Sequence, residues 1–243
     1  MIIGICALCL ESRALLESHF LPAALYKNLM DPDGIIKNMI VSNQKTASEE
    51  SKQMKRDLLC QGCEIRFQQG GENWVLGKRL MPNDSFPLRE ILLKHPADET
   101  RNGGSFYKTD GLPEIKPVQL LYFAASIFWR ASACDWDTPL GLYQQLVLPS
   151  DTKESLRRFL LGEEQFPQGV GILLILSASA RPLDLMTLPA LNTGETQWKQ
   201  FEFYVPGMKF VMIVGSSNGL NLSLSRSPHA VAIDPKLVPG RRK

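Results

Sequence analysis

The spacing of apolar residues predicts a short helix near the start of the chain. Leucines recur every fourth position from Leu21 to Leu29, which predicts a helix over 21–30. Pro22 suits the first turn of this helix, and Ser18 would cap it. The Asp-Pro-Asp-Gly sequence that follows has the composition of a turn and ends the helix.

Polar and turn-forming segments separate the predicted elements in the rest of the first half of the chain. Residues 43–57 are polar and charged and predict a loop or an exposed hairpin. We expect a second helix to begin near Gly62. Residues 96–116 are rich in glycine and proline and are the best candidate for a linker. The glycines at 70–71 lack the setting of a phosphate loop and are interpreted as a turn.

Two helices are predicted after this linker. Apolar residues at 117–133 fall on overlapping i+3 and i+4 rows, so this helix should be buried on more than one face. Asp151 and Glu154 have the spacing of a capping box for a second helix, which Gly162 would end.

The pattern then changes from helices to strands. Residues 169–176 form an apolar run, and 201–205 and 208–214 flank a Pro-Gly turn dipeptide. Alternating leucines at 220–224 follow a further turn sequence. We therefore predict an α+β chain with an N-terminal domain at 1–95, a linker at 96–116, and an α+β domain at 117–243. This last domain would contain helices followed by an antiparallel meander.

Composition and charge narrow the function classes. Of 243 residues 44% are hydrophobic, which is typical of a folded protein, and the formal net charge is only +2. Binding to nucleic acid would therefore depend on a local patch rather than on the charge of the whole chain. The start of the chain lacks a basic segment, and no apolar stretch is long enough to span a bilayer. These features predict a soluble cytoplasmic protein without a membrane partner.

Four of the five cysteines form two C-x-x-C pairs, Cys6/Cys9 and Cys60/Cys63. A secreted disulfide scaffold would contain more cysteines, usually an even number. Tetrahedral zinc takes four ligands, and a C-x-x-C turn presents two thiolates to one ion. We therefore predict one structural Zn²⁺ bound by all four residues. The alternative is that they are unrelated core cysteines.

One of only three histidines, His19, lies between the two cysteine pairs. The order of these motifs resembles the HNH endonuclease family, the ββα-metal nucleases, in the form that carries an added four-cysteine zinc site. The resemblance rests on C-A-L-C, S-H-F-L-P and L-L-C-Q-G-C, and it covers roughly 4–75. It implies a small, treble-clef-like ββα-metal domain at the N-terminus.

The same resemblance implies a catalytic mechanism. In this family the motif histidine is the general base that activates water against a phosphodiester, and the four cysteines are structural. A divalent cation, here Mg²⁺ or Mn²⁺, stabilises the developing charge. His19 matches the base. Proteins of this kind often occur in bacterial defence or in phage and other mobile elements.

The sequence departs from the family motif at the catalytic metal. Ser18 stands where the family commonly has an aspartate, and Glu64 stands where a histidine usually follows the second cysteine pair. The intervening asparagine, expected near Lys55, is absent. Glu64 would have to bind the ion, supplemented by Glu72 if the helix bends back, because hard cations accept carboxylates. The alternative is that both glutamates are solvated acids on a helix face.

Basic residues near this motif are candidates for contacts with DNA or RNA phosphates, and Tyr26 for stacking on a base. The candidates are Lys27, Lys55, Arg56 and Arg66. The alternative is an ordinary charged loop, since acidic residues interrupt the basic run.

The sequence leaves two candidate functions open. One is an HNH-type endonuclease, and the other is a non-catalytic zinc module that binds nucleic acid or a partner protein. The C-terminal domain would supply substrate or partner recognition.

Overall fold

The computed structural model describes most of the chain. The described residues are 2–36, 39–42, 47–49, 51–79, 85–101, 103–109, 112–136, 143, 145–179, 185–192, 199–215 and 229–234.

A three-stranded antiparallel sheet carries both cysteine pairs. Its strands are β1 (Ile2–Ile5), β2 (Ser12–His19) and β5 (Lys55–Cys60), in the order β1-β2-β5. Helix α1 (Ala23–Leu29) follows β2, and helix α2 (Gln61–Phe67) begins directly after β5. The prediction of a helix at the second cysteine pair is therefore confirmed.

Helix α1 is shorter than predicted, and its start differs. The N-cap residue is Pro22 rather than Ser18, and no side chain caps the helix. Ser18 is buried in β2, where its Oγ accepts a hydrogen bond from the Leu59 backbone N–H at 3.2 Å. The predicted cap is wrong because this hydroxyl pairs with the neighbouring strand.

The polar segment 43–57 is not a single loop in its described part. Strand β3 (Met39–Ser42) pairs antiparallel with β4 (Ala47–Glu49), as the hairpin alternative predicted. The last residues of the segment already belong to β5. Strand β3 also pairs in parallel with β9 (Met186–Thr187), so the two halves of the chain share this small sheet.

The helix after the second cysteine pair continues beyond α2. Two π-helical segments follow, Gln68–Glu72 and Val75–Arg79, and then helix α3 (Pro87–Leu93). Helix α4 (Pro117–Ala133) matches its predicted bounds. Gly70 and Gly71 lie in the first π-helical segment and pack against α4, so the prediction of a turn there is wrong.

The segment predicted as a linker, 96–116, contains two strands. These are β6 (Glu99–Arg101) and β7 (Gly104–Tyr107), which pair with each other. Strand β7 also pairs with β13 (His229–Asp234). This glycine-rich segment therefore belongs to a sheet, because β7 pairs with β13, which lies far away in the sequence.

The main sheet has seven strands. Strands β8 (Val170–Ser177), β10 (Ala190–Asn192), β11 (Lys199–Val205) and β12 (Met208–Val214) complete it. The order is β10-β11-β12-β8-β13-β7-β6. The β11–β12 hairpin turns at Pro206-Gly207 as predicted. The sheet is not a simple antiparallel meander, because β8 and β13 are parallel neighbours. The predicted strand at 220–224 lies outside the described residues.

Helix α4 is buried on two sides, as its apolar rows predicted. Its Phe123 and Phe128 rings lie 5.7 Å and 5.0 Å from Phe210 and Phe203 of the main sheet. On another side, Trp129 lies 6.0 Å from Phe67 of α2. The helix thus connects the sheet to the cysteine-bearing part of the chain.

Helix α5 (Ser150–Leu161) ends at Gly162, as predicted, where a positive φ of 76° suits glycine. Helix α5 does not begin with the predicted capping box. Pro149 occupies the N-cap position, and Glu154 is ion-paired with Arg157 instead of bonding back to the N-cap. Proline at the N-cap lacks the side-chain oxygen that a capping box requires.

The buried apolar side chains form one continuous cluster with members from both halves of the chain. The domain boundaries inferred from the sequence remain predictions. No helix in the described ranges has the length and apolar character needed to cross a lipid bilayer.

Candidate metal centre

The two cysteine pairs lie close together at one end of the three-stranded sheet, the first in a turn and the second at the junction of β5 with α2. The first pair lies in the turn between β1 and β2, where the Cys6 N–H donates to the Glu11 carbonyl at 3.0 Å. Leu10 closes this turn with a φ of 62°. In the second pair, Cys60 ends β5 and Cys63 lies in the first turn of α2. The antiparallel pairing of β2 with β5 brings the two cysteine pairs together.

The four sulfur atoms form one compact group. All lie within 4.8 Å of one another, and Cys9 Sγ and Cys60 Sγ are 4.0 Å apart. A tetrahedral zinc ion with Zn–S bonds of about 2.3 Å separates its sulfur ligands by about 3.8 Å. The observed spacing therefore fits zinc with small adjustments. The predicted clustering of Cys6, Cys9, Cys60 and Cys63 is confirmed.

The cysteines divide into a buried pair and a more accessible pair. Cys6 and Cys63 are 0% and 5% exposed, whereas Cys9 and Cys60 are only partly buried. Cys6 Sγ accepts a hydrogen bond from the Cys60 backbone N–H at 3.3 Å. A backbone N–H aimed at sulfur favours the thiolate form that metals bind.

Three of the four cysteine thiols have pKa values that depart from the ordinary thiol value. Hydrogen bonding from Cys63 lowers the pKa of Cys6 to about 4. The same hydrogen bond, together with burial, raises the pKa of Cys63, and burial raises the pKa of Cys9. One sulfur is thus a thiolate at neutral pH, and binding of a metal must displace protons from others.

Helix α5 contacts both the turn that carries the first cysteine pair and the helix α2 that carries Cys63. Arg157 of α5 donates from Nη1 to the Leu8 carbonyl at 2.7 Å, inside the first turn. Arg66 of α2 donates from Nη1 to the Leu161 carbonyl at 2.9 Å. Arg66, a predicted phosphate contact, therefore already binds a backbone carbonyl at the end of α5.

His19 is the last residue of β2 and is half-buried. Its Nε2 lies 2.9 Å from Oε1 of Gln53, and its ring centroid is 6.2 Å from that of Tyr26. Gln53 was missed by the sequence interpretation. The two residues are distant in the chain and meet only because β2 and β5 pair, so no local pattern pointed to Gln53.

Glu64 lies on α2 directly after Cys63, and its Oε1 is buried without a hydrogen-bond partner in the described part of the chain. No described hydrogen bond or ion pair joins it to His19. Glu72, considered as a supplementary ligand, is instead ion-paired with Arg130 at 2.7 Å. That role for Glu72 is wrong because the carboxylate is already engaged inside the protein.

The other predicted nucleic-acid contacts are not brought into one patch by any described contact. Lys55 lies opposite His19 in the sheet and is ion-paired with Glu17 at 3.1 Å. Arg56 donates to the Asp135 carbonyl. Lys27 is exposed in the last turn of α1. Tyr26 is fully buried, so the predicted stacking of its ring on a base is wrong.

Among the described residues, the four cysteines are the one group of three or more cysteine, histidine or acidic side chains arranged to hold a metal ion. Comparisons with protein-family models, with curated proteins and with solved structures found no match to this chain.

Proposed function

We propose that this protein is a metal-dependent endonuclease that hydrolyses nucleic-acid phosphodiesters, with His19 as the general base. The observation that carries the proposal is the position of His19. It ends the first strand of a β2–β5–α2 arrangement whose second strand leads into the metal-binding helix. This is the order of elements expected for a ββα-metal nuclease.

The contact between His19 and Gln53 supports a role as a base. In the tautomer that carries its proton on Nε2, His19 donates this hydrogen bond to Oε1 of Gln53. The lone pair of Nδ1 then remains able to accept a proton from water. A base held in one orientation by a neighbouring group is the usual arrangement in acid–base catalysis.

The buried oxygen of Glu64 supports a role in binding the catalytic cation. A carboxylate oxygen without a hydrogen-bond partner is costly to bury, and a bound Mg²⁺ or Mn²⁺ would satisfy it. Mg²⁺ commonly keeps several water ligands and uses phosphate oxygens of the substrate, so a single carboxylate can suffice. The ion would stabilise the charge that develops on the phosphate.

The zinc ion has a structural role in this proposal. Four thiolates fill its coordination sphere and leave no open position for a water molecule. It would hold the β1–β2 turn against the start of α2, at the opposite end of β2 from His19, and thereby fix the helix that carries Glu64.

A Glu64→Gln variant separates the role of Glu64 in metal binding from a purely structural role. Glutamine preserves the shape of the side chain but removes its charge, so the Mg²⁺ concentration needed for half-maximal cleavage should rise while the melting temperature changes little. Glu163→Gln, on the exposed segment after α5, is the matched control and should leave the metal requirement unchanged. An unchanged metal requirement in Glu64→Gln would remove Glu64 from the site.

A second candidate function is a non-catalytic zinc module that binds DNA, RNA or a partner protein. The observation that favours it is that the four cysteines are the one group of three or more candidate metal ligands among the described residues. Retention of nucleic acid or of a partner without any cleavage, in the presence of Mg²⁺ or Mn²⁺, would support this function over the nuclease.

A further inference from the structure

The cysteine cluster is open to solvent on one side. A cleft of about 470 Å³ is lined by three of its members, Cys9, Cys60 and Cys63, together with residues of β2, α2 and the end of α5. Cys6 does not line this cleft and is fully buried. Small reagents can therefore reach one edge of the cluster while the opposite edge is covered by protein.

The two accessible sulfurs are also close to each other. Cys9 Sγ and Cys60 Sγ are 4.0 Å apart, and both residues are only partly buried. A disulfide needs a separation of about 2.05 Å, so a movement of about 2 Å along the line between them would join them. Cys9 lies in the turn between β1 and β2, and Cys60 lies at the junction between β5 and α2.

We propose that Cys9 and Cys60 are a reversible oxidation site at which a hydroperoxide forms a disulfide between them and releases the metal ion. One thiolate attacks the peroxide oxygen, which breaks the O–O bond and yields a sulfenic acid and, for hydrogen peroxide, a hydroxide ion. The second thiolate attacks the sulfenic sulfur, forms the S–S bond and expels a second hydroxide. The two thiolates lose two electrons and the peroxide gains them.

The Cys9–Cys60 disulfide would replace the connection that the metal ion provides. The metal joins the turn after β1 to the start of α2, and a Cys9–Cys60 disulfide joins the same two places. Cys6 and Cys63 would remain as buried thiols, too few to hold zinc tightly alone. Reduction in the presence of zinc would restore the original site, which makes the modification reversible.

The full-length zinc-loaded protein tests this directly. Zinc content is measured first, and hydrogen peroxide is then added while a chromophoric chelator reports released zinc. Peptide mapping identifies the disulfide, and circular dichroism follows the fold. The proposal predicts the loss of one zinc ion for each Cys9–Cys60 disulfide formed, with the circular dichroism spectrum retained and with recovery after reduction.

A Cys134→Ser variant is the matched control, because this fifth cysteine lies at the end of α4 and outside the cluster. It should release zinc at the same peroxide concentration as the wild type. Disulfides within the pairs Cys6–Cys9 or Cys60–Cys63, or oxidation only after the chain unfolds, would overturn the proposal. A preparation without zinc before oxidation would also overturn it, whether or not the protein cleaves nucleic acid.

Discussion

Arg130 and Glu72 form an ion pair inside the contact between α4 and the π-helical segment Gln68–Glu72. Arg130 Nη2 and Glu72 Oε1 are 2.7 Å apart, and the two side chains are 2% and 11% exposed. The guanidinium also lies 4.5 Å from the centre of the Phe67 ring. Its Nε and Nη1 have no hydrogen-bond partner among the described residues, so Glu72 provides the main compensation for this buried charge.

The first prediction concerns this pair. Glu72→Ala leaves a buried cation without its carboxylate and should lower the free energy of unfolding by about 3–5 kcal/mol. Replacing both residues, as in Glu72→Leu with Arg130→Met, should cost less than the single change because no charge is then left unpaired. Chemical denaturation of the three proteins measures these differences.

The exposed ion pair between Arg158 and Glu164 is the matched control for this experiment. Glu164→Ala should cost less than about 1 kcal/mol, because solvent screens the charges of this pair. Equal losses in Glu72→Ala and Glu164→Ala would contradict the importance of the buried pair.

The second prediction concerns the close approach of Gly71 to α4. A Cβ atom at this position would lie 2.7 Å from the Gln119 carbonyl oxygen and 2.8 Å from the Phe123 backbone nitrogen. Gly71→Ala should therefore destabilise the protein by about 1–3 kcal/mol, since backbone atoms cannot move aside easily. Thermal unfolding measures the change.

Gly77 provides the control, because a Cβ there would meet no atom of the described residues within 4 Å. Gly77→Ala should be neutral or stabilise the protein by up to about 1 kcal/mol, as alanine favours helical backbone. A tolerated Gly71→Ala would show that the two helical segments do not pack as closely as described.

The third prediction concerns pH. The pKa values of Cys9 and Cys63 are raised above the ordinary thiol value, so both are protonated near neutral pH, whereas the pKa of Cys6 is lowered to about 4. Because zinc binds thiolates, binding near pH 7 should release protons from at least these two residues. The affinity for zinc should therefore rise as the pH rises. Titration calorimetry in buffers of different ionisation enthalpy counts the released protons, and a count near zero would contradict this assignment.

The fourth prediction concerns removal of the metal. Elemental analysis of protein purified without chelators should find one zinc ion per chain. Cys60→Ser should lose the zinc and unfold or aggregate the N-terminal third, while residues 118–243 stay more intact. Apparent zinc-binding free energies of about 10–16 kcal/mol in small zinc domains indicate the scale of this stabilisation.

Hydrogen exchange followed by mass spectrometry locates the lost structure. Cys134→Ser should keep both the zinc and the exchange pattern of the wild type. Full zinc occupancy in Cys60→Ser would show that the four cysteines do not act together.

Local signals explain which parts of the fold were predictable. Helix α4 and the β11–β12 hairpin were predicted because rows of apolar residues and a Pro-Gly turn identify them within a few residues. The pairing of β8 with β13 was not predicted, because it depends on contacts between distant segments. The same cause explains β7, whose glycine-rich sequence is typical of a loop until it pairs with β13.

The candidate site was also predictable from the sequence only in part. Two C-x-x-C pairs at this spacing predict a shared metal site, and their four sulfurs do cluster. The partners of Glu72 and of His19 lie far away in the sequence, at Arg130 and Gln53. No periodic pattern encodes such pairs, so the sequence left Glu72 open as a supplementary metal ligand and gave no indication of Gln53.

Cleavage of nucleic acid by the wild type and by His19→Ala tests the proposed function most directly. Single- and double-stranded DNA and RNA are incubated with zinc-loaded protein and Mg²⁺ or Mn²⁺. His95→Ala serves as the control, because His95 lies beyond α3 and has no place in the site. The proposal predicts metal-dependent cleavage by the wild type and by His95→Ala, and a rate about 10²–10⁴-fold lower in His19→Ala. Absence of cleavage by the folded, zinc-loaded wild type on every substrate, or equal rates in the wild type and His19→Ala, would contradict it.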